Sequence, residues 1–195
     1  TIFEDLFENA VLSRKYRLNV QIKMADAMYN QHRYIQAEQN YKQLLNAAAD
    51  KSKGIKPLYK QSIYNLSKVY IKLKRFKEAN QVLEQYLPEV VNDLEAVIIK
   101  TIMGKNLSQL KQYEQAAKIY EEVLLIYSDY KDEDIYLSLA DNYYNAKQFG
   151  KALTVYQDYL AEYPEGEREL DARYGMVQTL YQLGDFETAL EQAKI

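Results

Sequence analysis

One phrase recurs five times along this chain: an aromatic residue, two spacers, alanine, three spacers, then an apolar or aromatic residue. It is spelled by Tyr34, Ala37 and Tyr41, by Phe76, Ala79 and Leu83, by Tyr113, Ala116 and Tyr120, and by Phe149, Ala152 and Tyr156. In a fifth copy, Phe186, Ala189 and Ala193, the last position shrinks to alanine. The alanines are 42, 37, 36 and 37 residues apart, and each phrase follows a short polar turn: NQHR, KLKR, QLKQ, NAKQ or QLGD. Self-similarity at such a period means stacked supersecondary units, each unable to bury its apolar face alone.

The spacing inside the phrase is helical. Phe149, Ala152, Leu153, Tyr156, Tyr159 and Leu160 fall on one stripe at i, i+3, i+4 and i+7. Ahead of each phrase lies a second amphipathic stretch of about four turns; before the fourth copy it runs Ile135, Leu139, Ala140, Tyr143, with Asp132 or Asp134 as the N-cap. Each repeat therefore reads as a helix, a tight turn and an antiparallel helix. The small alanine lets the two helices approach closely, and aromatics fill the space beside that contact. Three prolines and six glycines among 195 residues leave few helix breakers, while 20 tyrosines supply the packing.

The residues resemble the tetratricopeptide repeat family. The match is best at Leu139, Ala140 and Tyr143, followed by Phe149, Ala152 and Tyr156 and closed by Tyr163 and Pro164, and again from Leu180 through Gly184 and Phe186 to Ala189. It covers about 18–195. The pattern departs from the family in having no tryptophan, a closing proline in the fourth repeat alone, and a period longer than the usual 34. The resemblance implies an all-α fold, a right-handed superhelical α-solenoid of antiparallel helix pairs. Its repeats are placed at 18–51, 60–93, 97–130 and 133–166, with a shortened fifth at 170–195. The 42-residue gap puts an insertion at 49–57 (ADKSKGIKP), with 52–59 read as an exposed loop. Phe3, Phe7 and Ala10 lie 34 residues before Ala37, Tyr41 and Leu44, so 1–15 reads as the second helix of a preceding repeat. No polar capping helix follows the fifth copy, and the natural protein is expected to be longer.

Little in the chain speaks for catalysis. There is no cysteine, which removes thiolate nucleophiles and thiolate metal sites. The one histidine, His32, falls in the first inter-helix turn and reads as an exposed turn residue. The acidic runs Asp132-Glu133-Asp134 and Glu121-Glu122 read as a helix start and a solvated face rather than catalytic pairs. KSKGIK at 51–56 lacks the phosphate-loop pattern. A basic stretch, Lys72, Lys74, Arg75 and Lys77, crosses the second turn, but the net charge of −3 argues against nucleic acid. No apolar run reaches the roughly 20 residues of a membrane span. The reading is of no enzyme, no cofactor and no metal.

What the resemblance does imply is a protein or peptide partner on the concave face lined by the first helices. Aligning the copies places Asp26, Tyr29 and Asn30 there from the first repeat, Tyr64 and Lys68 from the second, and Thr101 and Lys105 from the third. The fourth contributes Asp141, Tyr144 and Asn145, and the fifth Tyr174, Gln178 and Tyr181. Tyr29, Tyr144 and Tyr181 are equivalent, and Asn30, Asn145 and Gln182 follow them; a rigid ring with an adjacent amide suits peptide recognition. Tyr41, Tyr120 and Tyr156, like Tyr70 and Tyr143, are expected in the core. The carboxylate clamp that reads chaperone tails in part of this family is missing. Its places hold Ile22, Asp26, Asn65, Ile98 and Ile102, of which Asn65 alone agrees. The expected role is a scaffold or adaptor. The alternative is a self-associating subunit of a larger assembly, whether in bacterial envelope assembly or in a eukaryotic complex such as the anaphase-promoting complex.

Overall fold

A computed structural model describes residues 14–49, 55–127 and 132–194. The chain divides into two compact units, Thr1–Glu89 and Val90–Ile195. The first contains α1 (Arg14–Asn30), α2 (Tyr34–Ala47), α3 (Lys56–Lys72) and α4 (Phe76–Tyr86), then a 3₁₀ turn at Leu87–Glu89. The second contains α5 (Asp93–Gln109), α6 (Tyr113–Ile126), α7 (Glu133–Asn145), α8 (Phe149–Glu162), α9 (Glu169–Leu183) and α10 (Phe186–Gln192). The ten α-helices among the described residues pack as sequential antiparallel pairs, each of the five phrases opening the second helix of a pair.

The phrase alanines sit where the two helices of a pair touch. Ala37, Ala79, Ala116 and Ala152 have no exposed surface, and Ala189 is also buried. Tyr41, Leu83, Tyr120 and Tyr156, four residues on, are buried beside them. In the first unit Ala37, Tyr41 and Ala79 join Leu18, Ile22, Leu44, Leu66, Val69 and Tyr70 in one core cluster. In the second, Ile135, Leu137, Leu139, Ala140 and Tyr143 of α7 form the middle of the core, with Tyr159, Ala172 and Met176. Asp132 caps α7, its side chain accepting from the Asp134 N–H at 2.8 Å.

All five turns between paired helices share one geometry that the sequence spells openly only once. The residue one before the N-cap of each second helix takes a left-handed conformation: His32 (φ 61°), Lys74 (57°), Lys111 (59°), Lys147 (61°) and Gly184 (84°), the last being itself the C-cap of α9. The next residue returns its N–H to the carbonyl five positions back, as from Arg33 to Met28 and from Gln148 to Tyr143, at 2.9 Å. This is the Schellman closure, for which glycine is the favoured residue. A side chain at positive φ is unfavourable by about 1–2 kcal/mol, partly offset by the greater freedom glycine has when unfolded. Lys111→Gly and Lys147→Gly should therefore each raise the stability of the second unit by about 0.5–1 kcal/mol, nearly additively. Urea denaturation measures this; a loss of stability would mean that the lysine side chains make contacts outweighing their strain.

Two boundaries differ from the sequence reading. Arg14 and Lys15, assigned to a preceding helix, begin α1. Residues 56–59, assigned to the loop, form the first turn of α3, where Pro57 is accommodated because first-turn N–H groups need no helical partner. The rest of the expected preceding helix, with Phe3, Phe7 and Ala10, and residues 50–54 of the expected loop lie outside the described residues.

Candidate functional site

In the first unit four of the predicted residues meet. Asp26, Tyr29 and Asn30 of α1 and Lys68 of α3 line a pocket of about 290 Å³, together with Tyr41, Gln61 and Asn65. The Asp26 carboxylate is held from behind: one of its oxygens accepts from the Tyr41 hydroxyl and, at 2.9 Å, from the Asn65 amide. Burial, reinforced by the hydrogen bond to Asp26, pushes the Tyr41 hydroxyl far above the usual tyrosine range, so it remains a donor. Lys68 places its ammonium over the rings of Tyr29 and Tyr64, 5.5 and 5.7 Å from their centroids. Tyr64 thus supports the pocket from its side.

In the second unit the predicted residues lie along α5, α7 and α9. Tyr174 and Tyr181 are 66% and 62% exposed, and Lys105, Asp141 and Asn145 are exposed beside the half-buried Tyr144 and Gln178. Asp141 accepts from the Tyr156 hydroxyl at 2.6 Å, the counterpart of Asp26 and Tyr41. Asn145 donates to the Asp141 carbonyl at 2.8 Å. Thr101 is half-buried, its hydroxyl oxygen enclosed without a hydrogen-bond partner.

The three equivalent tyrosines are less free than expected. Tyr29 packs edge-on against Tyr34 (centroids 5.5 Å apart), Tyr144 against Phe149 (5.4 Å) and Tyr181 against Phe186 (5.3 Å). In these three repeats the aromatic that opens the phrase fixes the ring that precedes it across the turn, so these rings are preorganised rather than loose. His32, in the same turn as Tyr34, shares a hydrogen bond of 2.8 Å with its hydroxyl.

Sequence reading missed an ion-pair cluster joining the first two repeats. Buried Glu38 meets Lys42 at 2.7 Å and Arg75 at 2.8 Å, and Arg75 also pairs with Glu78 and lies over the Tyr70 ring. Burial alone would raise the Glu38 pKa, but the Lys42 hydrogen bond and the two cations together hold it below the usual carboxylate range. Arg75, one of the four cations of the basic stretch across the second turn, is committed to carboxylates. Among the described residues no group of three acidic or histidine side chains is placed to hold a metal ion, and no helix is long and apolar enough to cross a membrane.

Profiles described as tetratricopeptide repeat match the sequence over residues 16–88, 103–167 and 137–194. The chain belongs to the tetratricopeptide repeat family. Solved structures agree with that fold. A putative kinesin light chain with nearly identical repeats from Podosopora anserina superposes with a TM-score of 0.71 at 16% identity, covering 93% of each chain. MamA from Desulfovibrio magneticus RS-1 gives 0.70 at 17% identity over 91% of each chain. At these identities the likeness is one of fold. No curated protein sequence matches the chain. Tetratricopeptide repeats generally mediate protein binding.

Proposed function

We propose that the chain is a non-catalytic scaffold or adaptor, and that in each unit the exposed face of the first helices holds a segment of a partner protein. The observation that carries this is the pocket of the first unit, where side chains of two successive first helices converge on a space that the core does not use. In the second unit, Tyr144 and Tyr181 offer ring faces fixed by Phe149 and Phe186. Preformed surfaces of this kind bind with little backbone rearrangement and lose little freedom on binding.

The test is capture from the source organism with the chain and its Tyr144→Ala/Tyr181→Ala form as paired baits, read by quantitative mass spectrometry, then measurement of the partner's affinity. Removing both rings should weaken binding by at least about 1–2 kcal/mol, roughly 5- to 30-fold. Equal affinity in the double variant would remove these rings from the binding face.

Self-association is a second reading, favoured by the apolar side chains exposed near α9 and α10: Leu170, Phe186 and Leu190. It predicts a mass that rises with concentration in light scattering. A constant monomer mass would eliminate it.

A further inference from the structure

The pocket of the first unit contains two opposite charges that do not neutralise one another. Asp26 and Lys68 occupy the same position of neighbouring helices α1 and α3, each eleven residues before its phrase alanine, Ala37 or Ala79. Both line one cavity, yet no ion pair joins them. Lys68 rests over two tyrosine rings instead. Asp26 has one oxygen occupied by Tyr41 and Asn65, while its other oxygen takes part in no hydrogen bond among the described residues and lies 4.0 Å from the ammonium of the exposed Lys23. A salt bridge across the cavity would be the ordinary fate of such a pair; here both side chains line the cavity without forming one. Two groups held from behind, by hydrogen bonds on one side and ring faces on the other, keep their positions without the ligand and lose little entropy on binding.

We propose that this pocket reads a bipolar group: an N–H donor that meets Asp26 and a carboxylate, a few bonds away, that meets Lys68. The amides of Asn30 and Gln61 stand beside them to complete the hydrogen bonding. The last residue of a peptide chain presents this combination, and so does a free amino acid. The proposal deepens the reading of the first unit as a binding face and rests on it.

The test uses four small probes against the isotopically labelled full chain, followed through the side-chain amide NMR signals of Asn30, Gln61 and Asn65. N-acetylglycine stands for a peptide C-terminus, glycine for a free amino acid, acetate for the carboxylate alone and methylammonium for the cation alone. At least one bipolar probe should bind about five-fold or more tighter than either monopolar probe, which corresponds to one added contact. Preference for N-acetylglycine identifies a peptide end and preference for glycine an amino acid; either result supports the bipolar pocket. Lys68→Met, which keeps the side-chain stem at an exposed position, should reduce the bipolar probe to background. Asp26→Asn retains a carbonyl for the Tyr41 hydroxyl and should bring that probe down to the acetate level, with thermal melting confirming that both variants fold. Acetate or methylammonium binding as tightly as the bipolar probes, undiminished binding in Lys68→Met, or no movement of the three amides would each overturn the proposal. Protein capture that is lost on Tyr29→Ala/Asn30→Ala despite such a result would leave the protein-binding reading standing; capture unaffected by that change would remove the first-unit face as well.

Discussion

Replacing Gly175 with alanine should lower the stability of the second unit by about 2 kcal/mol, although in an open helix the same change raises it by about 1 kcal/mol. A methyl group built on Gly175 would stand 2.3 Å from the Tyr156 ring and 2.5 Å from its hydroxyl. Tyr156 cannot move aside, because its ring is buried and its hydroxyl is bonded to Asp141. Gly104 is the milder case, its added carbon 2.7 Å from the Tyr120 ring. Gly150, with nothing within 4 Å of the same carbon, supplies the control, and Gly150→Ala should stabilise. For a unit of this size 2 kcal/mol corresponds to roughly 8–16 °C in its melting temperature. Pairing Gly175→Ala with Tyr156→Phe removes the nearby hydroxyl and should recover part of the loss, a coupling that a double-mutant cycle detects. If Gly175→Ala stabilises the protein, Tyr156 is not the rigid wedge between α8 and α9 described above.

These two glycines show which features of the fold could be read in advance. The phrase alanines, the stripe around them and the helix pairing follow from periodicity, because spacing along a helix dictates which side chains share a face. A glycine inside a helix signals close approach to something, and Gly104 and Gly175 carried that signal. What approaches each one depends on a second helix, which periodicity does not position to an ångström. The turns are similar. The QLGD copy displays its glycine, while the others place histidine or lysine at the same left-handed position, so residue type does not reveal the shared geometry. In the candidate site, aligning the copies assigned Asp26, Tyr29, Asn30 and Lys68 to the faces of the first helices, and the four line one pocket. It did not reveal that Tyr41 and Tyr156 would bond Asp26 and Asp141, because a core tyrosine's hydroxyl and a surface carboxylate belong to different faces until the pair folds together. Nor could it show that Tyr29, Tyr144 and Tyr181 would each spend one edge on the aromatic across the turn.

The buried hydroxyls also make the fold sensitive to alkali, and the second large effect is a steep loss of stability above about pH 10, the usual tyrosine pKa. Tyr41, Tyr120, Tyr143, Tyr156 and Tyr159 are all buried, and in each case burial is the first cause of a raised pKa. For Tyr120 the value is pushed up to about 12. In the other four a carboxylate accepts the hydroxyl proton's hydrogen bond and would repel the tyrosinate: Asp26, Glu121, Asp141 and Glu133 respectively. A pKa raised in the folded state means that the folded protein keeps protons the unfolded chain has already released. The stabilisation is therefore complete below the unfolded value and disappears as pH rises from there through the folded values. Each tyrosine then contributes a loss of about 1.4 kcal/mol per pH unit, so Tyr120, Tyr143, Tyr156 and Tyr159 of the second unit together approach the whole stability of a small domain within about one or two pH units. Lys42, its pKa raised chiefly by the Glu38 hydrogen bond, acts in the same direction. Helical circular dichroism and the tyrosinate absorbance band, followed together through an alkaline titration, should show a block of tyrosines ionising in the same step as the helix is lost. Tyr156→Phe should make that step shallower by about one proton, since one of the retained protons is gone. Tyrosinate absorbance complete before any helix is lost would mean that these hydroxyls reach solvent in the folded chain, and that their bonds to the four carboxylates do not persist in solution.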